Sequence, residues 1–568
     1  MRIQYFGSGI GLSAALFLTA CGGGGGGSSS SSSAATPAPA PAPPPAASPG
    51  ITAAEASRLA KQASFGPTPE LVDHIVALKS ANAWIDEQLG LQSSTYADLA
   101  AAAVPNNFCA AATGQTLTNC NRDNFSVTPM SMRFYANAIG RDDQLRQRVA
   151  FALSQIVVAS DVEVHNTAGL ATFNQILLSN AFGNYRDILK AVTLNAYMGD
   201  YLDMADSNKT QANENYAREL MQLFSLGVVL LNADGTPQPD AAGATIAAYS
   251  NTDVKEVARA LTGWTYARLD GAAITDANKR DMSKPMIVNA ARYDTGAKTF
   301  LGKTVAANAT QQASVDAVVD AVFNHANTAP FISKRLIQQL TIANPTPAYV
   351  GRVAAVFVNN GAGVRGDMKA VIRAILTDTE ARGSAAIPGK VKEPVLLAAS
   401  LARAIGFTTD GYAFTTRDAA LGQAPFRAPS VFNYYPYDFP LPLGDGAISP
   451  TSKLMTTSTS IARHNFVYDW TVGGDATRGE YQPQTAIAGS KGTQPGWSAW
   501  EALAADETKL LERIDVVLLN GTMTANQRQA LSSAMAAIKN NDPALQARKR
   551  VQVALYVAAS SPMFQVDR

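Results

Sequence analysis

Apolar residues recur every three or four positions along most of the chain after residue 50. This spacing puts apolar side chains on one face of an α-helix, where they form a stripe that packs against a core. Strand-like alternation is rare, and only 300–305 predicts a short hairpin. The sequence therefore predicts a mainly α fold, one large multi-helical domain with long irregular loops, notably 266–300 and 408–450. The helical pattern is clearest in 144–158, 315–323, 350–357 and 368–375.

Capping residues mark several of the predicted helix boundaries. Thr68 precedes Pro69, an arrangement that predicts an N-cap followed by the first turn of a helix. Thr524 and Gln527 have the spacing of a capping box before another apolar stripe. Glu393 precedes Pro394 and is expected next to the positive end of a helix.

The first twenty residues have the pattern of a signal peptide. Arg2 is the basic residue, and Gly9–Leu18 is an apolar run too short to span a bilayer. The run ends in Leu-Thr-Ala before Cys21, which resembles a bacterial lipobox. We therefore predict lipidation, with palmitate among the acyl chains, at Cys21; an ordinary secretory signal followed by a chance cysteine is the alternative.

The composition of residues 21–50 predicts a disordered tether, and residues 51–568 are predicted to form the helical domain. Six glycines, a serine run and alternating Pro and Ala cannot build a core, and they give a reach of roughly 30–40 Å. Gly22 stands where an inner-membrane retention aspartate would be, which favours the outer membrane. The expected location is the cell envelope, with the protein held on the membrane by its N-terminal lipid.

Two further cysteines, Cys109 and Cys120, are close together in the chain. In an oxidising compartment such a pair predicts one local disulfide. Two free, buried thiols are the alternative. The disulfide would hold a loop together and has no catalytic pattern.

Composition excludes several classes of function. The formal net charge of +1 leaves no basic surface of the kind that binds nucleic acid. The four histidines do not share a helical face at metal-ligand spacing, and carboxylates that would suit calcium or magnesium lack EF-hand spacing, so no metal is predicted. Phosphate-binding, dinucleotide-binding and serine-nucleophile motifs are missing from the sequence, and no cofactor is predicted.

A predicted helix from Asn213 carries two polar pairs. Glu214 and Arg218 are four residues apart, as are Asn215 and Glu219, so each pair shares a helical face. A second predicted helix, from residue 252, carries another carboxylate–arginine pair. If the two helices pack together, the charged residues of both converge: Glu214, Arg218, Glu219, Glu256 and Arg259.

This convergence has two interpretations. As a catalytic site, one carboxylate is held neutral or basic by burial and an arginine orients the substrate. As a structural feature, the same groups form an ionic network that holds two core helices together. Trp264 is expected to close the second helix, and Asp294 and Lys298 lie in the long loop that follows; these three residues are expected to line one cleft. Asn213 and Asn215 are further candidate binding residues.

The segment 426–440 concentrates aromatic rings between prolines. Rings with hydroxyl tips form binding platforms for sugars, peptides or partner proteins, and Arg427 would face an anion. Tyr434 and Tyr435 are the candidate contact residues. The alternative is a rigid loop that covers the core with its rings.

Nine segments carry a joint pattern in a fixed order along the chain: 56–68, 144–155, 213–220, 226–227, 253–264, 298–302, 331–336, 392–394 and 422–440. Together they resemble the bacterial "domain of unknown function 1800" family over residues 51–568. Tyr293-Asp294 stands where the family often has His-Asp. The resemblance implies an exported helical protein, and a co-exported genomic neighbour of the "domain of unknown function 1501" type, which resembles alkaline-phosphatase-like or sulfatase-like hydrolases. It implies no particular reaction.

Two functional hypotheses follow. The first is a membrane-anchored extracytoplasmic lipoprotein that acts as accessory to, or binds, a co-exported hydrolase-like protein or its polymeric substrate. The second is a hydrolase or lyase that uses the carboxylate–arginine cluster on the helix Asn213–Leu220.

Overall fold

The computed structural model describes residues 50–383, 389–441, 446–474 and 477–567. The predicted signal peptide, Cys21 and the tether up to residue 49 lie outside the described residues. Among the helices of the described residues, none has the length and apolarity needed to cross a membrane.

The described residues form 26 α-helices, which confirms the predicted mainly α fold with one large helical domain. The first thirteen are α1 (Ala53–Ala63), α2 (Pro69–Ala77), α3 (Ala81–Gly90), α4 (Ala97–Ala101), α5 (Gly114–Asn124), α6 (Thr128–Gly140), α7 (Gln144–Ile156), α8 (Thr167–Ser179), α9 (Tyr185–Thr193), α10 (Ala196–Tyr201), α11 (Asn215–Gln222), α12 (Asn251–Ala260) and α13 (Gln311–Asn324). The others are α14 (Thr328–Leu340), α15 (Pro347–Val358), α16 (Met368–Thr377), α17 (Thr379–Arg382), α18 (Pro394–Ile405), α19 (Tyr412–Thr415), α20 (Asp418–Leu421), α21 (Thr457–Trp470), α22 (Ser498–Glu501), α23 (Glu507–Leu519), α24 (Ala525–Ala537), α25 (Pro543–Ser560) and α26 (Pro562–Gln565).

Short strands pair into two-stranded antiparallel sheets. The predicted hairpin at 300–305 is confirmed as β5 with β6, and the loop 266–300 contains short strands where an irregular connection was expected. The strands are β1 (Trp264–Thr265), β2 (Ala267–Arg268), β3 (Arg280–Asp281), β4 (Ile287–Val288), β5 (Lys298–Phe300), β6 (Lys303–Val305), β7 (Lys390–Val391), β8 (Thr408–Thr409), β9 (Thr493–Gln494) and β10 (Val566–Asp567).

Local sequence signals placed two helix starts correctly. The Thr68 side chain accepts a hydrogen bond from the backbone N–H of Leu71 at the start of α2. Thr524 and Gln527 form both bonds of the predicted capping box at α24. The predicted disulfide between Cys109 and Cys120 is present, and it links α5 to the preceding turn.

The apolar core consists of two clusters of buried residues. The first is built mainly from α1 to α17, and the second from α6 and the helices after residue 394. Helix α7 contributes to both, because Val149 belongs to the first cluster and Phe151 to the second. Helix α18 lies in the second cluster with every one of its residues buried.

A fully buried carboxylate, Glu393, lies where the two clusters meet. Its Oε2 accepts hydrogen bonds from the side-chain amides of Gln155 at 3.1 Å and Gln423 at 2.7 Å. Gln155 belongs to α7, whereas Glu393 caps α18 and Gln423 follows α20. One side chain therefore joins segments that are far apart in the sequence.

Buried cations surround this carboxylate, and we call the group the Glu393 network. Arg148 and Lys390 both donate to the backbone carbonyl of Gln339, each at 2.5 Å, and Arg463 donates to that of Lys392 at 2.8 Å. Burial lowers the pKa of Lys390 to about 8 and that of Arg463 to about 10, and the charge of Glu393 opposes both shifts. The carboxylate thus helps to keep these groups charged inside the protein.

Replacing Glu393 by glutamine is expected to destabilise the protein by about 3–5 kcal/mol, because it leaves buried cations without a counter-charge. The measurement is the free energy of unfolding in urea. Glu214→Gln is the matched control: its partner Arg218 is 3.1 Å away and both side chains are more than a third exposed, so we expect a loss below about 1 kcal/mol. Equal losses in the two variants would contradict the role given to Glu393.

Candidate functional site

The charged side chains of α11 and α12 do not pair across the two helices in the described residues. The two helices pack together, but each arginine pairs with a carboxylate on its own helix: Arg218 with Glu214 at 3.1 Å, and Arg259 with Glu256 at 2.7 Å. In the part of the chain that the structure describes, no hydrogen bond or ion pair joins one group to the other. Spacings of three and four residues let each pair form locally, whereas the facing sides of the helices are apolar.

The charges on α12 instead join the predicted binding residues Asp294 and Lys298. Asp294 accepts from Arg259 at 2.8 Å, and this bond is the main reason why the pKa of Asp294 is lowered. Lys298 donates to the backbone carbonyls of Asp294 and Gly296. These contacts attach the base of the β5–β6 hairpin to α12, which agrees with the structural interpretation.

Other residues of the predicted cleft are distributed around α11 and β1. Asn213 accepts from the backbone N–H of Asn215, and Asn215 donates to Asp203, so both side chains organise the helix start. Helix α12 ends at Ala260 rather than at Trp264, which is buried in β1. A buried indole offers no surface to a ligand.

Glu219 is the buried member of the predicted cluster. Its side chain is only 6% exposed, and Oε2 has no hydrogen-bond partner among the described residues. Burial raises the pKa of Glu219, and the charge of Arg218 opposes the shift.

Most of the aromatic segment 426–440 covers the core. Tyr435 is buried, and the hydroxyl of Tyr434 lies 2.8 Å from the carbonyl oxygen of Ala424 and 2.6 Å from that of Arg427. These contacts agree with the alternative interpretation, a rigid loop over the core. Arg427 differs from its neighbours because about half of its side chain is exposed.

Arg427 and Tyr434 line a pocket of about 520 Å³, which we call the Arg427 pocket. Its volume is within the range of about 300–1,000 Å³ that is usual for small-molecule sites. Part of its wall carries hydroxyl, amide and carboxyl groups. The lining residues also include Val127, Thr128, Ser131, Val162, Thr415, Asp418, Ala419, Gly422, Gln423, Ala424 and Pro429.

Backbone geometry orients the arginine. Phe426 has φ +61, an unfavourable conformation for a phenylalanine, and its ring packs edge-on against Phe134 at 5.5 Å. The backbone carbonyl of Phe426 accepts from the N–H of Asp161, and that of Ala428 accepts from the Ser160 hydroxyl. Since both residues next to Arg427 are held, its side chain is directed by a fixed backbone.

Asp418, the carboxyl group in the wall of the Arg427 pocket, is 6% exposed and accepts a hydrogen bond from the Tyr135 hydroxyl at 2.6 Å. Burial raises the pKa of Asp418 to about 8, and the Tyr135 bond and the charge of Arg427 only partly oppose this. At neutral pH this carboxyl group is mainly protonated and can donate a hydrogen bond.

A second buried carboxyl group, Asp161, lies beside the arginine. Its Oδ2 is 3.9 Å from Nε of Arg427 and 3.7 Å from Nδ1 of His165. Burial raises the pKa of Asp161 to about 6, and the charges of His165 and Arg427 oppose the shift. At neutral pH Asp161 is therefore mainly ionised while Asp418 is mainly protonated.

The Arg427 pocket thus combines a cation with a protonated carboxyl group at its wall and a carboxylate nearby. Such a set can bind a ligand that carries both hydroxyl and anionic groups. Within the described ranges, no group of three or more His, Cys, Asp or Glu side chains is arranged to hold a metal ion. The sequence prediction included Arg427 and Tyr434 but missed Asp161 and Asp418; the four-residue spacing of Asp161 and His165 was the one local signal.

Because burial raises the pKa of Asp418 to about 8, the folded state binds the proton of this group more tightly than the unfolded state does. The contribution of Asp418 to stability is therefore full below the pKa of the unfolded state and is lost as the pH rises to about 8. Each unit of pKa difference is worth about 1.4 kcal/mol. The unfolding free energy of Asp418→Asn, measured relative to that of the natural protein, should therefore increase from pH 4 to about pH 8 and stay constant above that pH. Urea unfolding at pH 5, 7 and 9 measures this. Asp123→Asn, at an exposed position, is the control, and parallel pH profiles for Asp418→Asn and the natural protein would refute the burial argument.

Comparison with known proteins gives one match. A search of curated proteins and a search of solved structures find no similar protein. The family model described as "Protein of unknown function (DUF1800)" matches residues 58–566, which is most of the chain and contains both the Glu393 network and the Arg427 pocket. The chain belongs to this DUF1800 family.

Proposed function

We propose that this protein is a lipid-anchored, extracytoplasmic accessory protein that binds an acidic, hydroxyl-rich polymer through the Arg427 pocket. In this proposal the polymer is the substrate of a co-exported hydrolase-like protein of the "domain of unknown function 1501" type. The observation that carries the proposal is the half-exposed Arg427 beside Asp418 and Asp161, two carboxyl groups that differ in ionisation at neutral pH. Arginine would pair with an acidic group of the polymer, and protonated Asp418 would donate to a hydroxyl.

The disulfide supports a location outside the cytoplasm. Structural disulfides persist in oxidising compartments and are rare where thiols are kept reduced. The Cys109–Cys120 bond agrees with the apolar leader and with Cys21 as the lipid attachment site. A tether of the predicted length would keep the pocket clear of the membrane surface.

Binding is favoured over catalysis by the geometry of α11. Glu214 and Arg218 neutralise each other at the surface, which leaves neither free to act on a substrate. A hydrolase or lyase remains the second candidate because of Glu219, whose buried carboxyl group has a raised pKa and an oxygen without a partner among the described residues.

Lipid anchoring predicts that Cys21→Ala releases the protein from membranes. Acyl chains contribute about 0.8 kcal/mol per buried methylene, so loss of the lipid should remove most of the membrane affinity. The measurement is radiolabelled palmitate incorporation together with the membrane-bound fraction after cell lysis. Cys109→Ser is the control, since it should keep the label. The anchoring would be refuted if the natural protein incorporated no palmitate label. It would also be refuted if the membrane-bound fraction of Cys21→Ala equalled that of the natural protein.

Polymer binding predicts that Arg427→Gln weakens the affinity for polygalacturonate about tenfold, the effect of losing one charge-assisted hydrogen bond. Isothermal titration with the purified protein measures the dissociation constant. Fully methyl-esterified polygalacturonate should bind the natural protein about as weakly as the acidic polymer binds the variant.

The control is Arg548→Gln, because Arg548 is 49% exposed, like Arg427, but pairs with Glu501 on another part of the surface. Equal binding of the acidic and esterified polymers, or unchanged binding by Arg427→Gln, would refute the proposal. Shortened polymer chains that appear with the natural protein and not with Glu219→Gln would favour the second candidate.

A further inference from the structure

A second concave site, which we call the Arg335 groove, has a volume of about 210 Å³. It is formed by the chain after α11, by α14 and by residues 431–438 of the aromatic segment. Most of its walls are apolar, with lining residues that include Leu223, Val228, Phe331, Phe432 and Tyr437, and Asp438 is its acidic lining residue.

Arg335 is the cation of this groove. Its guanidinium carbon lies 4.2 Å from the ring centre of Tyr437 and 4.9 Å from that of Phe331, so two aromatic rings flank it. Its one side-chain hydrogen-bond partner in the described ranges is Gln338 at 3.3 Å, and no carboxylate there lies within 4 Å; Asp438, which also lines the groove, acts on Arg335 only through space. Burial lowers the pKa of Arg335 to about 10, which still leaves it charged at neutral pH.

The apolar walls of the groove are open to solvent. Val228 is 56% exposed and Phe432 is 57% exposed, although both are large apolar side chains. Gly227 has φ +74, and a Cβ atom there would lie 2.7 Å from the Phe331 ring. Glycine therefore lets the Phe331 ring pack directly against the backbone at this wall.

Asn433 adds a polar group to the same wall. It is 5% exposed and has φ +64, and its side-chain amide donates to the carbonyl of Gln155 at 3.2 Å. Its Oδ1 has no partner in the described part of the chain. A ligand N–H group would satisfy this oxygen.

We propose that the Arg335 groove binds the C-terminal end of a partner polypeptide whose last side chain is apolar. The terminal carboxylate pairs with Arg335, the last backbone N–H faces Asn433, and the apolar side chain packs on Phe432 and Val228. This assignment rests on charge complementarity: a neutral apolar ligand would cover Arg335 without giving it a counter-charge in direct contact, since Asp438 acts only from a distance, and a simple anion would leave the apolar walls unused. It does not depend on the Arg427 pocket.

The test uses the folded protein and a fluorescein-labelled hexapeptide that ends in Ala-Val-Phe with a free carboxylate. Fluorescence anisotropy measures the dissociation constant. The same peptide with a C-terminal amide should bind about tenfold more weakly, because it lacks the charge that pairs with Arg335. Arg335→Gln should weaken binding of the free acid by a similar factor and remove the preference for the acid over the amide.

Arg352→Gln is the matched control, since Arg352 also overlies a tyrosine ring, Tyr349, but is outside the groove. If Arg335→Gln does not fold, Phe432→Ser replaces it: the exposed ring can be removed without disturbing the core, and binding should fall several-fold. Arg427→Gln should bind the peptide normally, which separates this inference from the polymer proposal.

Three outcomes would overturn the inference. The first is equal binding of acid and amide, and the second is no binding by the natural protein. The third is competition by 3-phenylpropionate at the same concentration as the peptide, which would assign the groove to small organic acids. Weak competition by 3-phenylpropionate and strong competition by unlabelled peptide would support a polypeptide C-terminus.

Discussion

The buried carboxyl group of Glu393 is the interaction on which the architecture depends. It lies between two apolar clusters and offsets the burial of Arg148, Lys390 and Arg463. Charges removed from water cost several kcal/mol each unless they are paired, so the arrangement is stable only while the carboxylate is present. The network thereby fixes how helices from the two halves of the chain meet.

The same carboxylate also connects both proposed sites to the core. Gln155 lines the Arg335 groove and Gln423 lines the Arg427 pocket, and both donate to Oε2 of Glu393. The aromatic segment 426–440 contributes to both sites and is held by hydroxyl contacts to the backbone. A rigid support of this kind keeps binding groups in place before a ligand arrives, which lowers the entropy cost of binding.

The candidate site was only partly predictable. Arg427 and Tyr434 stand in a segment whose composition is unusual, and the structure places both in the pocket. Asp418 stands in a sequence without a distinctive pattern, and its raised pKa comes from burial beside Tyr135, which is 283 residues away. The charges of α11 and α12 were expected to converge, but each arginine pairs with a carboxylate on its own helix.

The sequence by itself determined what depends on neighbours within a few residues. Apolar spacing predicted the helices, Thr68 and Thr524 marked helix starts, and Cys109 was close enough to Cys120 to pair with it. The tertiary structure alone decided which polar groups lose their water, since burial depends on segments brought together from distant parts of the chain. For that reason the pKa values, and the lack of a carboxylate within 4 Å of Arg335 among the described residues, could not be predicted from local patterns, although the proposals rest on them.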